Sequence, residues 1–337
     1  STSNSYTFNN LTKNTSYKIV IKVMDSNNRY SNVFVTSSKT SNSVTLASYV
    51  KSLYTGTQGA NDIYYHNSSL ANGAGDNSYR YAGANPNNYV CFGSNASTCP
   101  ENNLYRIIGV FGDNVKLIKA TIATSSLLGT DGGYSTNSDY KWSNLKSCPS
   151  DTSAYMKNSN TIGASAEPTN SGCNIWKYSE LNTINLNKNY LNYIGSTWSN
   201  MIESATWKVS GITSDDLTVK SIFDEEITSA TKTYDPSNGV TKIGLMYASD
   251  YGYAINPSYW TTKMSEYYKV YNNNWLFMGA GWTLTPIGKE SVFILNNGVG
   301  VSTSAYSTQS VYPSFYLNSD VQYVSGMGTY DNPFKIQ

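Results

Sequence analysis

Leu104–Lys119 reads LYRIIGVFGDNVKLIK, and the rest of the chain is best organised around it. Two apolar runs, Leu104–Phe111 and Val115–Ala120, flank the turn residues Gly112-Asp113-Asn114, which predicts a β-hairpin. Just upstream, strands are expected around Tyr79–Ala82 and Tyr89–Phe92. Before them, Leu46, Tyr49, Val50 and Leu53 recur at helical spacing. Downstream of the hairpin, residues 121–179 have little pattern. Helical periodicity returns between Leu181 and Glu203, where Leu186, Leu191, Ile194, Trp198, Met201 and Ile202 share one face and Gly195 splits the run. Further strands are expected at Thr206–Val209, Lys242–Ala248, Trp275–Met278, Trp282–Thr285, Ser291–Leu295, Gly300–Ser302, Val311–Leu317 and Val321–Val324. Short helices early and midway, followed by a β-rich C-terminal third, define an α+β class.

Residues 1–41 have a different character. A strand at Tyr6–Phe8, an alternating strand at Tyr17–Met24 and another at Asn32–Thr36 are expected, with Ile19, Ile21 and Val23 on one face. The segment L-T-K-N-T-S-Y, ending at Tyr17, resembles the tyrosine corner of fibronectin type III modules. The resemblance implies the C-terminal strands of a fibronectin type III or Ig-like module. Three strands cannot cover both faces of a sandwich, so the natural protein is expected to continue upstream. Ser37–Ser43 is a polar linker, which leaves 43–337 as a second domain.

Composition restricts function. Of 337 residues only 13% are charged, and 23 Lys and Arg balance 22 Asp and Glu. That supplies no field for a polyanion, so nucleic acid is not expected as a partner. No apolar run reaches the roughly 18 residues of a membrane span, so membrane insertion by this segment is not expected either. Thirty tyrosines, seven tryptophans and nine phenylalanines exclude a disordered chain. An Asn-, Ser-, Thr- and Tyr-rich surface suits secreted adhesive proteins, although an AT-rich genome produces the same bias.

The four cysteines allow three pairings. The local pairs Cys91–Cys99 and Cys148–Cys173 each close a short polar loop, the second bounding an insertion around 121–179. A crosslink there is worth on the order of 3 kcal/mol. Zinc is not expected, because no C-x-x-C occurs and His66 is the single histidine. Disulfides place the protein outside the cytosol.

Several segments together resemble large secreted surface proteins of low-GC Gram-positive gut bacteria. They are DNSYRYAGANPNNYVCFG (76–93), the hairpin itself, KIGLMYASDYGYA (242–254), WTLTP (282–286), VYPSFYLNSD (311–320) and GTYDNPFKI (328–336). The ending looks like that of C-type lectin-like modules, with Tyr312 standing where those carry an Arg before Pro313. The resemblance implies a C-type lectin-like domain over 43–337, on the bacterial cell surface, displaying loops from a rigid sheet. The calcium-binding lectin motifs are missing, so no metal or cofactor is expected.

Enzymatic constellations are thin. His66 sits in YYHNSS, which reads as a surface loop without a G-x-S-x-G partner. Asp215-Asp216 and Asp224-Glu225-Glu226 read as solvated acidic turns. A surface hydrolase using Asp224, Glu225 or His66 is the weakest reading, and no catalytic residues are assigned. Binding is better supported: aromatics interleaved with Asn and Ser resemble the composition of antibody loops. YKVYNNNW (268–275) and STSAYSTQSVY (302–312) have it, giving Tyr271, Asn272, Asn273, Asn274, Tyr306 and Gln309 as candidate contacts. Trp260, Trp275 and Trp282 read as core. The expected function is a non-catalytic extracellular adhesin domain for a host or environmental glycan or protein. A structural subunit of a surface layer or filament, with self-assembly, is the alternative.

Overall fold

A computed structural model describes residues 8, 11, 15–39, 43–146, 172–230, 233–234, 242–287, 291–296 and 299–337. The chain divides into two compact units, Ser1–Val44 and Thr45–Gln337. In the first, Ser16–Ile21 pairs antiparallel with Phe34–Lys39, placing Ile19 opposite Thr36. The strand stops at Ile21 rather than Met24, which makes only an isolated bridge to Tyr30. Ile21 and Val23, expected on one face with Ile19, are 47% and 64% exposed, because among the described residues no second layer covers this two-stranded ribbon. Tyr6 and Thr7, in the first expected strand, lie outside the described residues.

The second unit is a mixed helix-and-sheet structure with open sheets, compatible with α+β. The hairpin lies inside the largest sheet. Leu104–Phe111 pairs with Asn114–Lys119, which pairs with Ser314–Tyr316 and, beyond it, Ile243–Gly244. On its other side Leu104–Phe111 receives Tyr79–Tyr81 and Tyr89–Cys91, and Ile63–Tyr65 closes that edge. Residues 104–110 are buried without alternation, since both faces of the strand are covered. A register shift between Ile107 and Gly109 bends the hairpin. Glycine is needed there, because a Cβ at 109 would stand 2.5 Å from the Tyr79 carbonyl oxygen.

A helix at Leu46–Ser52 buries Leu46, Ala47 and Val50, and Thr45 caps it by accepting from the Ser48 amide. The Leu181–Tyr190 segment has wide π-type turns and continues into Leu191–Ser199, where Gly195 (φ +77°) interrupts the helix as the sequence predicts. Gly281–Ile287, Ser291–Asn296 and Val299–Ser304 form a second antiparallel sheet, and Thr308–Ser310 pairs with Asp139–Lys141. Two expectations fail. Lys242–Ala248 is a strand only at Ile243–Gly244, and Ala248–Ala254 is a fully buried helix. Trp275–Met278 is not a strand, because the Trp275 amide is drawn to the Gly83 carbonyl (2.9 Å) and its indole N–H to Tyr81 (2.9 Å).

Trp260, Trp275 and Trp282 are core residues as expected, at 1%, 3% and 0% exposure. Their neighbours explain the tyrosine content. Rings pack inward, and some of their tips find backbone acceptors: Tyr140 Oη donates to Gly129 (2.6 Å), and Trp282 Nε1 to Tyr140 (2.7 Å). Cys91 and Cys99 are joined by a disulfide. Cys173 is also disulfide-bonded, and Cys148 lies outside the described residues. Among the described residues no helix is long and apolar enough to cross a membrane.

Candidate ligand-binding cleft

The hairpin carries three buried cations on its paired strands, Arg106, Lys116 and Lys119, and the first two have very different surroundings. Lys116 on the second strand is fully buried, with Nζ 2.6 Å from Asp250 Oδ2. Arg80, on the strand that flanks Leu104–Phe111, reaches Asp76 (2.6 Å) and Asp250 (3.6 Å). Asp250 also caps its own helix by accepting from the Tyr247 amide (2.9 Å). Burial works against the Lys116 charge, but Asp250 more than offsets it and leaves the ammonium firmly protonated. Burial likewise pushes the Asp76 carboxyl up, while Arg80 and Ser78 pull it below its ordinary range.

Glu226 lies close to this cluster. Its carboxyl accepts from the amides of Ala248 and Ser249 (3.0 Å each) and from the Thr285 hydroxyl. Burial pushes its pKa up to about 7, although Ser249 and Thr285 pull the other way. The solvated acidic turn expected at 224–226 is therefore corrected for Glu226, which is 1% exposed because the helix N-terminus draws it inward. The cluster encloses a cavity of about 60 Å³ bordered by Arg80, Ser249 and Asp250. At about 30 Å³ per water molecule it has room for solvent and not for a substrate.

His66 is also corrected. It is fully buried, not on a surface loop, with its ring 4.8 Å from Tyr253 and 5.1 Å from Trp260. Nδ1 accepts from the Ala74 amide (3.0 Å), which folds the polar 66–77 loop around the imidazole. Burial, then the charge of Arg80, hold its pKa well below the ordinary value against the pull of Asp76, so it is neutral. No carboxylate among the described residues bonds to either ring nitrogen.

The second cation, Arg106, stands directly across from Tyr89 in the strand register, and the guanidinium lies 4.5 Å from that ring. Trp275 covers it at the same distance. Nε donates to Asn88 Oδ1 (2.7 Å), Nη1 to the Trp275 carbonyl (3.1 Å) and Nη2 to the Pro86 carbonyl (3.1 Å). Asn88 is itself held by donating to the Ile107 carbonyl (2.8 Å). Burial pushes the Arg106 pKa down to about 10, with Tyr89 offsetting part of the effect. Arg106 lines an open cleft of about 400 Å³ whose walls include Tyr89, Thr121, Trp275, Phe277 and Tyr312. Tyr312 closes one side by donating its hydroxyl to the Met278 carbonyl.

The two loop stretches singled out in the sequence meet at this cleft through their C-terminal ends, Trp275 and Tyr312. The individual candidates fare differently. Tyr271 is half-buried with its ring 4.8 Å from Phe277, and Asn272 is exposed beside it. Asn273 is half-buried, its side chain donating weakly to the Val270 carbonyl (3.3 Å). Asn274 is 4% exposed and is withdrawn as an outward contact. Its amide bonds the Tyr251 carbonyl (2.9 Å) and the Leu276 amide (2.9 Å), so it fixes the turn that positions Trp275. Tyr306 lies under Lys141 (3.6 Å), and Gln309 pairs with Tyr140 across the short two-stranded sheet; neither lines the cleft. A hydrogen bond from Lys141 lowers the Tyr306 pKa.

Arg106 is the residue that the sequence reading missed. A lone cation inside the apolar run LYRIIGVF was the available signal. No family model matches the chain, and neither a curated protein nor a solved structure matches it.

Proposed function

We propose that residues 43–337 form a non-catalytic, extracellular ligand-binding domain of adhesin type from a bacterial surface protein, C-type lectin-like in fold. We place its ligand, a host or environmental glycan or protein, in the Arg106 cleft. The observation that carries this reading is an open space of about 400 Å³ walled by Trp275, Tyr89 and Phe277 around a buried guanidinium. Tyr, Trp and Arg are the residue types that dominate binding energy at recognition sites. The absence of catalysis is supported by the alternative centre: its charges close on one another around about 60 Å³. Extracellular placement is supported by the Cys91–Cys99 disulfide.

The test is a glycan-array and host-protein screen with the full chain, followed by Phe277→Ala and Gln309→Ala, each checked for folding by circular dichroism. Phe277→Ala should weaken binding about tenfold or more, as expected for a recognition aromatic. Loss on Gln309→Ala with Phe277→Ala silent would move the site to the Thr308–Ser310 strand. Concentration-dependent oligomers in sedimentation, with no ligand in either screen, would favour the filament or layer subunit instead.

A further inference from the structure

Arg106 is 6% exposed, and among the described residues no carboxylate accompanies it. Its three hydrogen bonds go to neutral acceptors, one from each nitrogen. A guanidinium has five N–H donors, so two remain uncommitted among the described residues. Buried charges in proteins are ordinarily paired, and an arginine cannot escape by losing its proton. Lys119 on the same hairpin shows the other resolution: it donates to the Asn102 carbonyl (2.7 Å), and burial lowers its pKa to about 8 despite Glu101.

A second observation lies in the same cleft. Thr121 lines it, and its hydroxyl, buried in the cleft wall, has no hydrogen-bond partner among the described residues. The remaining walls combine aromatic rings, of which Tyr89 and Phe277 are half-exposed, with the aliphatic Ala120, Ile122 and Met278. Aromatic planes suit the apolar face of a sugar ring, and a planar guanidinium suits a carboxylate or sulfate.

Resting on the cleft reading above, we propose that the ligand is an anionic saccharide whose acid group bonds the Arg106 guanidinium. The ring lies against Tyr89 and Phe277. The incoming anion supplies the counter-ion that the fold withholds from Arg106.

Calorimetric titration of the unmodified chain with two matched pairs tests this: glucuronic acid against its methyl ester, and N-acetylglucosamine 6-sulfate against N-acetylglucosamine. The anionic member of at least one pair should bind about tenfold tighter than its neutral partner, in line with a charge-assisted bidentate contact. The pair that discriminates identifies carboxylate or sulfate as the source. Added salt should weaken the anionic member alone. Arg106→Met should erase the difference, and the matched pairs keep the test open if that variant fails to fold. Equal binding within both pairs overturns the charge assignment and leaves the cleft reading standing. An acidic peptide that binds as tightly as either sugar acid overturns the saccharide assignment. Binding of none of the four overturns the inference, and an array ligand that still depends on Phe277 would then preserve the cleft alone.

Discussion

Lys116 and Arg106 sit on adjoining strands of one hairpin, and both are buried. The fold gives Lys116 a carboxylate at 2.6 Å, a second cation beyond it, and a cavity too small for anything but solvent. It gives Arg106 two aromatic faces, three neutral acceptors and an open cleft. The first arrangement satisfies itself and holds the sheet to the Ala248–Ala254 helix. The second meets its hydrogen-bonding needs in part and holds its charge without a carboxylate among the described residues. Burial alone therefore does not imply a counter-ion: Lys116 has one, and among the described residues Arg106 does not.

Asp250→Ala is the strongest way to break that contrast. It strands Lys116 without its carboxylate and leaves Arg80 with Asp76 alone, and removing one partner of a buried ion pair costs about 3–5 kcal/mol. Arg106→Met should cost less, about 1–3 kcal/mol for acceptors left unpaired, because no buried counter-charge is abandoned. Urea unfolding of the two variants compares them directly. Equal losses would make Arg106 as structural as Lys116.

Cys91→Ser with Cys99→Ser should cost about 3 kcal/mol, as for other short crosslinked loops. Its effect should also be local. Cys91 ends the strand that carries Tyr89 over Arg106, so amide exchange should rise more in Tyr89–Cys91 than in Asn114–Lys119. Uniform acceleration of exchange would show that the disulfide supports the whole sheet and not the cleft wall in particular.

The parts of this architecture legible in the sequence are those set by local pattern: the hairpin, the Leu46–Ser52 helix, the break at Gly195 and the Cys91–Cys99 pair. The parts that were not legible depend on distant partners. ASDYGYA is a poor helix former by composition, with Gly252 in its interior. It is helical because every residue is buried and Asp250 caps it while binding Lys116 and Arg80. Glu226 and His66 occur in polar stretches, and nothing adjacent shows that Ser249, Thr285 or Trp260 will enclose them. For Arg106 the charge within an apolar run was visible, whereas the stacking on Trp275 spans 169 positions.

Glu226 sharpens the comparison by adding a third treatment of a buried ionisable group, the carboxyl that can hold its proton. Its folded-state pKa is raised from an ordinary 4.5 to about 7, so between those values the folded chain binds more protons than the unfolded chain. Stability from this site must then fall as pH rises through that window, by on the order of 3 kcal/mol at most, and stay level above it. The Asp76 carboxyl, held low, has the opposite sign, and its contribution disappears only in acid below the ordinary carboxylate range. Glu226→Gln should remove the fall between pH 5 and pH 8, at roughly 1 kcal/mol in acid for one acceptor lost to the Ser249 amide. At pH 8 the variant should equal or exceed the parent, because the charge it deletes is the costly form. Thermal unfolding at the two pH values decides it. A parent with no such slope would mean that the helix N-terminus stabilises the Glu226 anion as fully as Asp250 stabilises Lys116, and Glu226 would join the self-satisfied cluster.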